Sequence, residues 1–194
     1  MTKSRASQQS GFTIIETMIA IAITGIGIIT LIAAFAAGLA ATQTSQENLI
    51  ARQKTLEAME SIYTARNTQQ LSFSQISNFP TGIFSSGSTQ LLCAGPDGLV
   101  NTTDDVNCPA NGPCVSGPEC VVMPGPDGIL GTADDVGMSL GNFTRQVQIN
   151  PVLESDGVTV NPTLKQITVT VSYIPTGLTA ARSYQVNALI SAYR

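Results

Sequence analysis

The chain has 194 residues, which is enough for one domain and an anchor but not for several domains. Charged residues make up only 11% of it, less than half the usual share, and hydrophobic residues make up 43%. The formal net charge is −4, which argues against nucleic-acid binding. Histidine is absent and no nucleophile–base set is visible, so we predict that the chain is not an enzyme.

The first predicted element is an uncharged apolar run at residues 17–41. Its 25 residues would form a helix of roughly 38 Å, long enough to cross a bilayer core with some tilt. Lys3 and Arg5 precede the run without any acid, which predicts that this end stays in the cytoplasm. Since a helical pattern continues behind the run, we do not expect cleavage there as in a secretory signal peptide.

Helical periodicity continues beyond residue 41. Four apolar residues recur at spacings of seven, three and four: Leu49, Leu56, Met59 and Tyr63. This pattern predicts an apolar stripe on one side of a half-solvated helix. Because no proline interrupts the segment, we predict a single helix from about Phe12 to about Asn67, on the order of 84 Å long.

The C-terminal third alternates apolar and polar residues, which is typical of half-buried strands. The alternating stretches are FTRQVQIN from Phe143, LKQITVTVSYI from Leu164 and SYQVNALISAY from Ser183. One apolar sheet face and one apolar helix stripe predict a two-layer α+β domain with an antiparallel sheet. The expected organisation is 1–11 leader, 12–41 membrane half of the helix, 42–72 amphipathic half, 73–141 loop region and 142–194 sheet.

All four cysteines lie in the predicted outside portion, where disulfides persist: Cys93, Cys108, Cys114 and Cys120. They lack C-x-x-C pairs, and the absence of histidine disfavours zinc further. Two disulfides allow three connectivities, which the sequence leaves open. We prefer Cys93–Cys108 with Cys114–Cys120, because each pair would close a short local loop.

The Gly-, Pro- and Asp-rich region contains an internal repeat. AGPDGLVNTTDDVN at residues 94–107 returns as PGPDGILGTADDVG at residues 124–137, 30 residues later. The repeat contributes six aspartates: Asp97, Asp104, Asp105, Asp127, Asp134 and Asp135. No Lys or Arg lies between Arg66 and Arg145, so we expect these acids and Glu119 to lack local cations. Oxygen ligands around tight glycine turns suit Ca²⁺, and we predict calcium here against the alternative of two solvated turns.

Glu16 stands at the mouth of the apolar run, where a carboxylate is costly unless it finds a partner. With the basic leader before Gly11 and with Phe12 behind it, the arrangement resembles the type IV prepilin signature. That resemblance implies cleavage between Gly11 and Phe12 by a membrane peptidase and N-methylation of Phe12. It also implies that Glu16 pairs with the amine of a neighbouring subunit and sets its register in a filament. Loss of the leader would leave a mature net charge of −6.

The resemblance to type IV pilins and type II secretion pseudopilins implies a pilin-like fold and a structural, filament-forming function. The C-terminal pattern looks most like that of minor subunits, with a major pilin as the alternative. A membrane-anchored calcium-binding module or adhesin that does not polymerise is the alternative from another class. The implied partners are other pilin subunits and the prepilin peptidase. The implied location is the bacterial inner membrane, single-pass, followed by a periplasmic or cell-surface filament.

Overall fold

A computed structural model describes residues 11–175 and 179–193. The leader, with Lys3 and Arg5, therefore lies outside the described residues apart from Gly11. Contacts divide the chain into two compact units, Met1–Gln43 and Thr44–Arg194. One helix and six strands follow in chain order: α1 (Ile14–Asn67), β1 (Thr89–Gln90), β2 (Cys120–Met123), β3 (Val136–Ser139), β4 (Phe143–Leu153), β5 (Val160–Tyr173) and β6 (Arg182–Ser191).

The second unit is a helix packed on an antiparallel sheet, which confirms the α+β prediction. The sheet has the strand order β1-β4-β5-β6, and β2 pairs with β3 in a separate two-stranded sheet. Val147 lies opposite Val169, and Val169 lies opposite Val186 on its other side. The alternating residues Ile167, Val169 and Val171 of β5 are fully buried, so the period-two pattern identified the core face of this strand.

The C-terminal half of α1 packs on the sheet through a face that shares only Met59 and Tyr63 with the predicted stripe. Its buried apolar residues are mostly small: Ala51, Ala58, Met59, Ile62 and Ala65. Small side chains let the helix lie close to the sheet. A hydrogen bond adds to this packing, because the Tyr63 hydroxyl donates to the Leu189 carbonyl of β6 at 2.7 Å.

Two leucines of the predicted stripe were assigned to the core wrongly. Leu49 is 62% exposed and Leu56 is 44% exposed, whereas Met59 of the same stripe is buried. Hydrophobicity alone could not reveal this, because Ala51, Thr55 and Ala58, which lie one or two positions from these leucines, supply the packing face instead. The second unit therefore has an exposed apolar strip on α1 that the sheet does not cover.

The loop region at residues 73–141 contributes more buried apolar side chains to the core than its composition suggests. Its sequence is rich in Gly, Pro and Asp, yet it buries five large apolar side chains: Ile76, Phe84, Leu91, Leu99 and Leu140. Lys165 on β5 adds polar anchoring, since its ammonium donates to the carbonyls of Phe73 at 2.9 Å and Ile76 at 2.7 Å. The region therefore shares the core of the helix and the sheet.

Two disulfides fasten the same region. They join Cys93 to Cys108 and Cys114 to Cys120, which is the preferred one of the three possible pairings. Both loops are short, with sequence separations of 15 and 6 residues. Loops of this length are the ones that local chain closure favours.

Candidate functional site

The candidate assembly segment begins where α1 begins. Thr13 caps the helix: its hydroxyl oxygen accepts the Glu16 backbone N–H at 3.3 Å, and its carbonyl accepts the N–H of Thr17 at 3.2 Å. Thr13 and Glu16 are three residues apart, the spacing of a capping box. The sequence interpretation of Glu16 missed this local role, although the T-x-x-E spacing could have revealed it.

The Glu16 carboxylate itself makes no hydrogen bond or ion pair with any residue that the structure describes. It lies in the first turn of α1, where the exposed backbone N–H groups favour a negative charge. Gly11 and Phe12 precede the helix, and the Phe12 side chain is 81% exposed. The Glu16 carboxylate and Phe12 thus lie within about one helix turn of each other, and both are exposed.

The apolar half of α1 has a surface that the rest of the chain does not cover. Every large apolar side chain from Phe12 to Leu39 is at least 54% exposed. By length and composition α1 is able to cross a membrane, and it is the single such helix among the described residues. Its environment must come from lipid or from other helices, because exposing so much apolar surface to water is unfavourable.

The hydroxyl groups within this apolar segment are satisfied inside the helix. Thr24 donates to the Ala20 carbonyl at 2.7 Å, and Thr30 donates to the Gly27 carbonyl at 2.9 Å. In hydrocarbon an unsatisfied hydroxyl is costly, and such back-bonding removes that cost. The segment therefore suits an apolar environment despite its threonines.

The first aspartate loop, residues 94–107, is organised by its own carboxylates. The Asp97 N–H donates to Asp104 at 3.3 Å, and the Asp97 carboxylate accepts the N–H of Leu99 at 2.8 Å. Asp105 accepts the N–H of Asn101 at 2.7 Å. The base of the loop closes by two backbone hydrogen bonds between Cys93 and Val106, both 3.0 Å long.

The second aspartate loop, residues 124–137, repeats this geometry. The backbone N–H of Asp127 donates to the Asp134 carboxylate at 3.2 Å, and that of Gly131 donates to the Asp135 carboxylate at 2.7 Å. Met123 pairs with Val136 at its base, as Cys93 does with Val106 30 residues earlier. The backbone has positive φ at Asn101 (66°) and at Gly131 (91°), so asparagine adopts the left-handed turn that glycine adopts in the second copy.

The aspartates of the two copies share one electrostatic feature and differ in another. In the first, a hydrogen bond from Thr102 lowers the pKa of Asp104, and in the second Thr132 lowers the pKa of Asp134 in the same way. Burial raises the pKa of Asp105, and hydrogen bonds and the positive charge of Arg145 offset only part of that effect. Asp105 of the first loop thus lies against the protein body and near a guanidinium.

Metal binding by these loops stays a prediction. Within residues 11–175 and 179–193 no group of three or more Asp, Glu, Cys or His side chains is placed to hold a metal ion. Many of the carboxylate oxygens accept N–H or hydroxyl hydrogen bonds instead. The Asp135 Oδ1 atom is buried and has no hydrogen-bond partner among the described residues.

Glu119 has two cationic partners, contrary to the expectation from sequence. Its carboxylate lies 2.6 Å from the Lys54 ammonium and 3.3 Å from the Arg145 guanidinium, and Arg145 is fully buried. These cations come from α1 and β4, which the fold brings against the loop region. Burial acts to lower the pKa of Lys54, but hydrogen bonds to Glu119 and Glu57 outweigh it and raise that pKa above 10.5. Sequence analysis missed this buried cluster because its members are far apart in the chain.

The prokaryotic N-terminal methylation motif matches the chain at residues 6–32. The match covers Gly11, Phe12, Glu16 and the first half of the apolar segment. It supports a type IV pilin-like or pseudopilin signature at this end of the chain. No curated protein and no solved structure matches the chain.

Proposed function

We propose that this chain, whose N-terminus carries a type IV pilin-like methylation signature, is a subunit of a type IV pilus or a type II secretion pseudopilus. A prepilin peptidase would cut it between Gly11 and Phe12, and Phe12 would be methylated. The mature subunit would wait in the inner membrane through α1 and then enter a periplasmic or cell-surface filament. There the apolar half of α1 would pack against the same segment of its neighbours.

One observation carries the proposal: the methylation motif coincides with an uncovered apolar helix that has a free carboxylate in its first turn. A bundle of such helices would bury the exposed surface and exclude water. In that low-dielectric interior, a pairing between Glu16 and a neighbour's Phe12 amine would be much stronger than in water. The free carboxylate then has a physical purpose that a plain lipid anchor lacks.

Within the filament we propose a minor subunit, on the likeness of the C-terminal third to minor pilins and pseudopilins. A minor subunit would initiate, cap or decorate the filament, and a major pilin is the alternative. The number of copies relative to the principal filament protein separates the two. A ratio far below one supports the minor assignment, and a ratio near or above one supports the major assignment.

Replacing Gly11 by leucine tests the processing step. A Cβ at Gly11 would meet nothing within 4 Å in the chain, so the substitution should leave the protein's own fold unchanged. We expect Gly11→Leu to keep the full-length mass and stay in the membrane fraction, because a large side chain would obstruct the peptidase. Gly11→Ala is the matched control and should be shortened like the wild type. Normal shortening of the leucine variant would contradict cleavage at this bond.

We also propose that the aspartate loops bind Ca²⁺. Calcium binding would be equally compatible with the alternative function, an anchored adhesin that does not polymerise. The buried, unpartnered Oδ1 of Asp135 and the duplication of the loop support this proposal. We expect a chelator to lower the thermal midpoint by several degrees, since bound ligand stabilises the folded state. The Asp135→Asn variant should lose the part of that response that comes from the second loop. An identical midpoint and protease resistance with and without chelator would rule calcium out.

A further inference from the structure

One asparagine of the chain has a sequence context that favours loss of its own side-chain amide. Asn111 is followed by Gly112, and this is the only Asn-Gly pair among the 194 residues. Glycine has no Cβ, so the side chain of the preceding residue can approach its backbone nitrogen closely. A bond between the Gly112 nitrogen and the Asn111 Cγ atom closes a five-membered imide ring.

Asn111 and Gly112 belong to a tight turn in the disulfide-bonded part of the loop region. Asn111 and Cys114 exchange both of their backbone hydrogen bonds, each 3.0 Å long, which leaves Gly112 and Pro113 as the two central residues. Gly112 has a φ of 56°, a left-handed conformation that glycine adopts without strain. The turn therefore uses the N–H of Asn111 but not the N–H of Gly112.

Both groups that would react are free of hydrogen bonds to residues 11–175 and 179–193. Asn111 is exposed, and its side-chain amide has no hydrogen-bond partner in this part of the chain. The N–H of Gly112 has none there either. The nitrogen can therefore reach the side-chain carbonyl carbon without first breaking a hydrogen bond within the protein.

The chain also has three Asp-Gly pairs, which can close the same ring, and all three are held by hydrogen bonds. They are Asp97-Gly98, Asp127-Gly128 and Asp156-Gly157. In each pair the glycine N–H donates to a backbone carbonyl three residues earlier, at 3.0 Å. Each aspartate carboxylate also accepts the backbone N–H two residues later, at 2.8, 2.8 and 2.9 Å in chain order. Asn111-Gly112 thus differs from these pairs both in its attacking nitrogen and in its side chain.

We propose that Asn111 is a site of spontaneous modification, at which the side-chain amide is lost through a cyclic imide with Gly112. The Gly112 nitrogen bonds to the Asn111 Cγ atom, the bond between Cγ and Nδ2 breaks, and the proton of the Gly112 N–H leaves with Nδ2 as ammonia. Water then opens the imide. Opening at the bond from Cγ to nitrogen leaves an aspartate, and opening at the bond from the backbone carbonyl carbon to nitrogen leaves an isoaspartate. Water is the only co-reactant.

The products differ from asparagine in charge and, for isoaspartate, in backbone length. Asn111 lines a cavity of about 450 Å³ together with Glu57 and Glu119, so the new carboxylate adds to two existing ones. Isoaspartate also adds one methylene to the main chain, which disrupts the paired hydrogen bonds of the turn. Disulfides at Cys108 and Cys114 hold both flanks of the turn, so we expect the modified chain to stay folded.

Isoaspartate labelling of the purified full chain tests the proposal. The protein in detergent is incubated at neutral pH and physiological temperature, and samples are treated with a protein isoaspartyl methyltransferase and radiolabelled S-adenosylmethionine. We expect methyl incorporation that rises with incubation time. Because trypsin leaves residues 67–145 in one piece, the reduced and alkylated protein is digested with pepsin instead. Mass spectrometry of the peptides should then locate the amide-to-acid conversion at residue 111.

Two variants make the assignment specific. Asn111→Gln keeps an exposed amide, but its additional methylene moves the carbonyl carbon out of position for the five-membered ring. We expect it to lower the rate of methyl incorporation on the order of 100-fold, as misplacement of reacting atoms by about 1 Å does. Asn107→Gln, at an exposed asparagine that precedes Cys108, is the matched control and should be labelled like the wild type. Circular dichroism compares the folding of the three proteins.

The outcomes decide the proposal without reference to filament assembly. A wild-type chain that keeps the Asn111 amide after prolonged incubation overturns it. Labelling that persists unchanged in Asn111→Gln also overturns it, because the isoaspartate then forms at another residue. Labelling that maps to residue 111, is lost in Asn111→Gln and persists in Asn107→Gln supports it. The reaction needs only the folded chain and water, so the proposed function is tested separately.

Discussion

Glu119→Ala is expected to reduce the free energy of unfolding by about 3–5 kcal/mol. The substitution would leave Arg145 fully buried without its ion pair, and the Nε and Nη2 atoms of Arg145 already lack hydrogen-bond partners among the described residues. It would also remove the closer partner of Lys54. Urea unfolding of the full chain in detergent, followed by circular dichroism, measures the difference.

Glu57→Ala is the matched control for the same lysine. Its side chain is 51% exposed, against 10% for Glu119, and it pairs with Lys54 within one helix turn. Such exposed pairs are worth only about 0.2–0.5 kcal/mol. The pKa of Lys54 is raised above 10.5 in the folded protein. The stabilisation that its ion pairs give the folded state is therefore fully present below pH 10.5, and it is lost as the pH rises through the folded pKa. A Glu119→Ala protein as stable as Glu57→Ala at neutral pH would show that the buried cluster does not hold the loop region.

Glu16→Ala is expected to reduce the share of the chain in sheared filaments by about 100-fold or more. The reason is that removing one partner of a desolvated ion pair costs about 3–5 kcal/mol. The amount in the membrane fraction should stay the same, since α1 keeps its apolar surface. Quantitative immunoblots of sheared and membrane fractions give the ratio.

Glu16→Gln decides whether the charge or only the size of the side chain is responsible. Glutamine has nearly the same size as glutamate, and the backbone N–H of residue 16 can still donate to the Thr13 hydroxyl. Glutamine carries no charge, so it cannot neutralise an amine. We expect Glu16→Gln to fail in assembly as Glu16→Ala does. Normal incorporation of the glutamine variant would show that the charge of Glu16 is not needed for assembly and would withdraw the intersubunit pairing.

The sequence predicted the regular part of the fold because its signals are local. The apolar run predicted the first half of α1, and alternation at Ile167, Val169 and Val171 identified the buried face of β5. The core face of α1 escaped prediction, because alanines carry little hydrophobic signal and Leu49 is apolar yet exposed. Only packing against the sheet decides which side of such a helix is buried.

Tertiary contacts account for what the sequence left out at the candidate sites. The cations at Glu119 come from Lys54 and Arg145, which are distant along the chain, so a count of local charges was misleading. The duplication was visible in the letters, but the different burial of Leu99 and Ile129 was not. Gly11, Phe12 and Glu16 could be selected as candidates from sequence because they lie in a short, continuous motif that matches residues 6–32.

The most direct test of the filament function is the intact mass of the wild-type protein in sheared surface filaments. The account predicts a mass that begins at Phe12 and carries one additional methyl group, recovered in the sheared fraction. A full-length chain, or one that begins near residue 41, found only in membranes or medium, would contradict it.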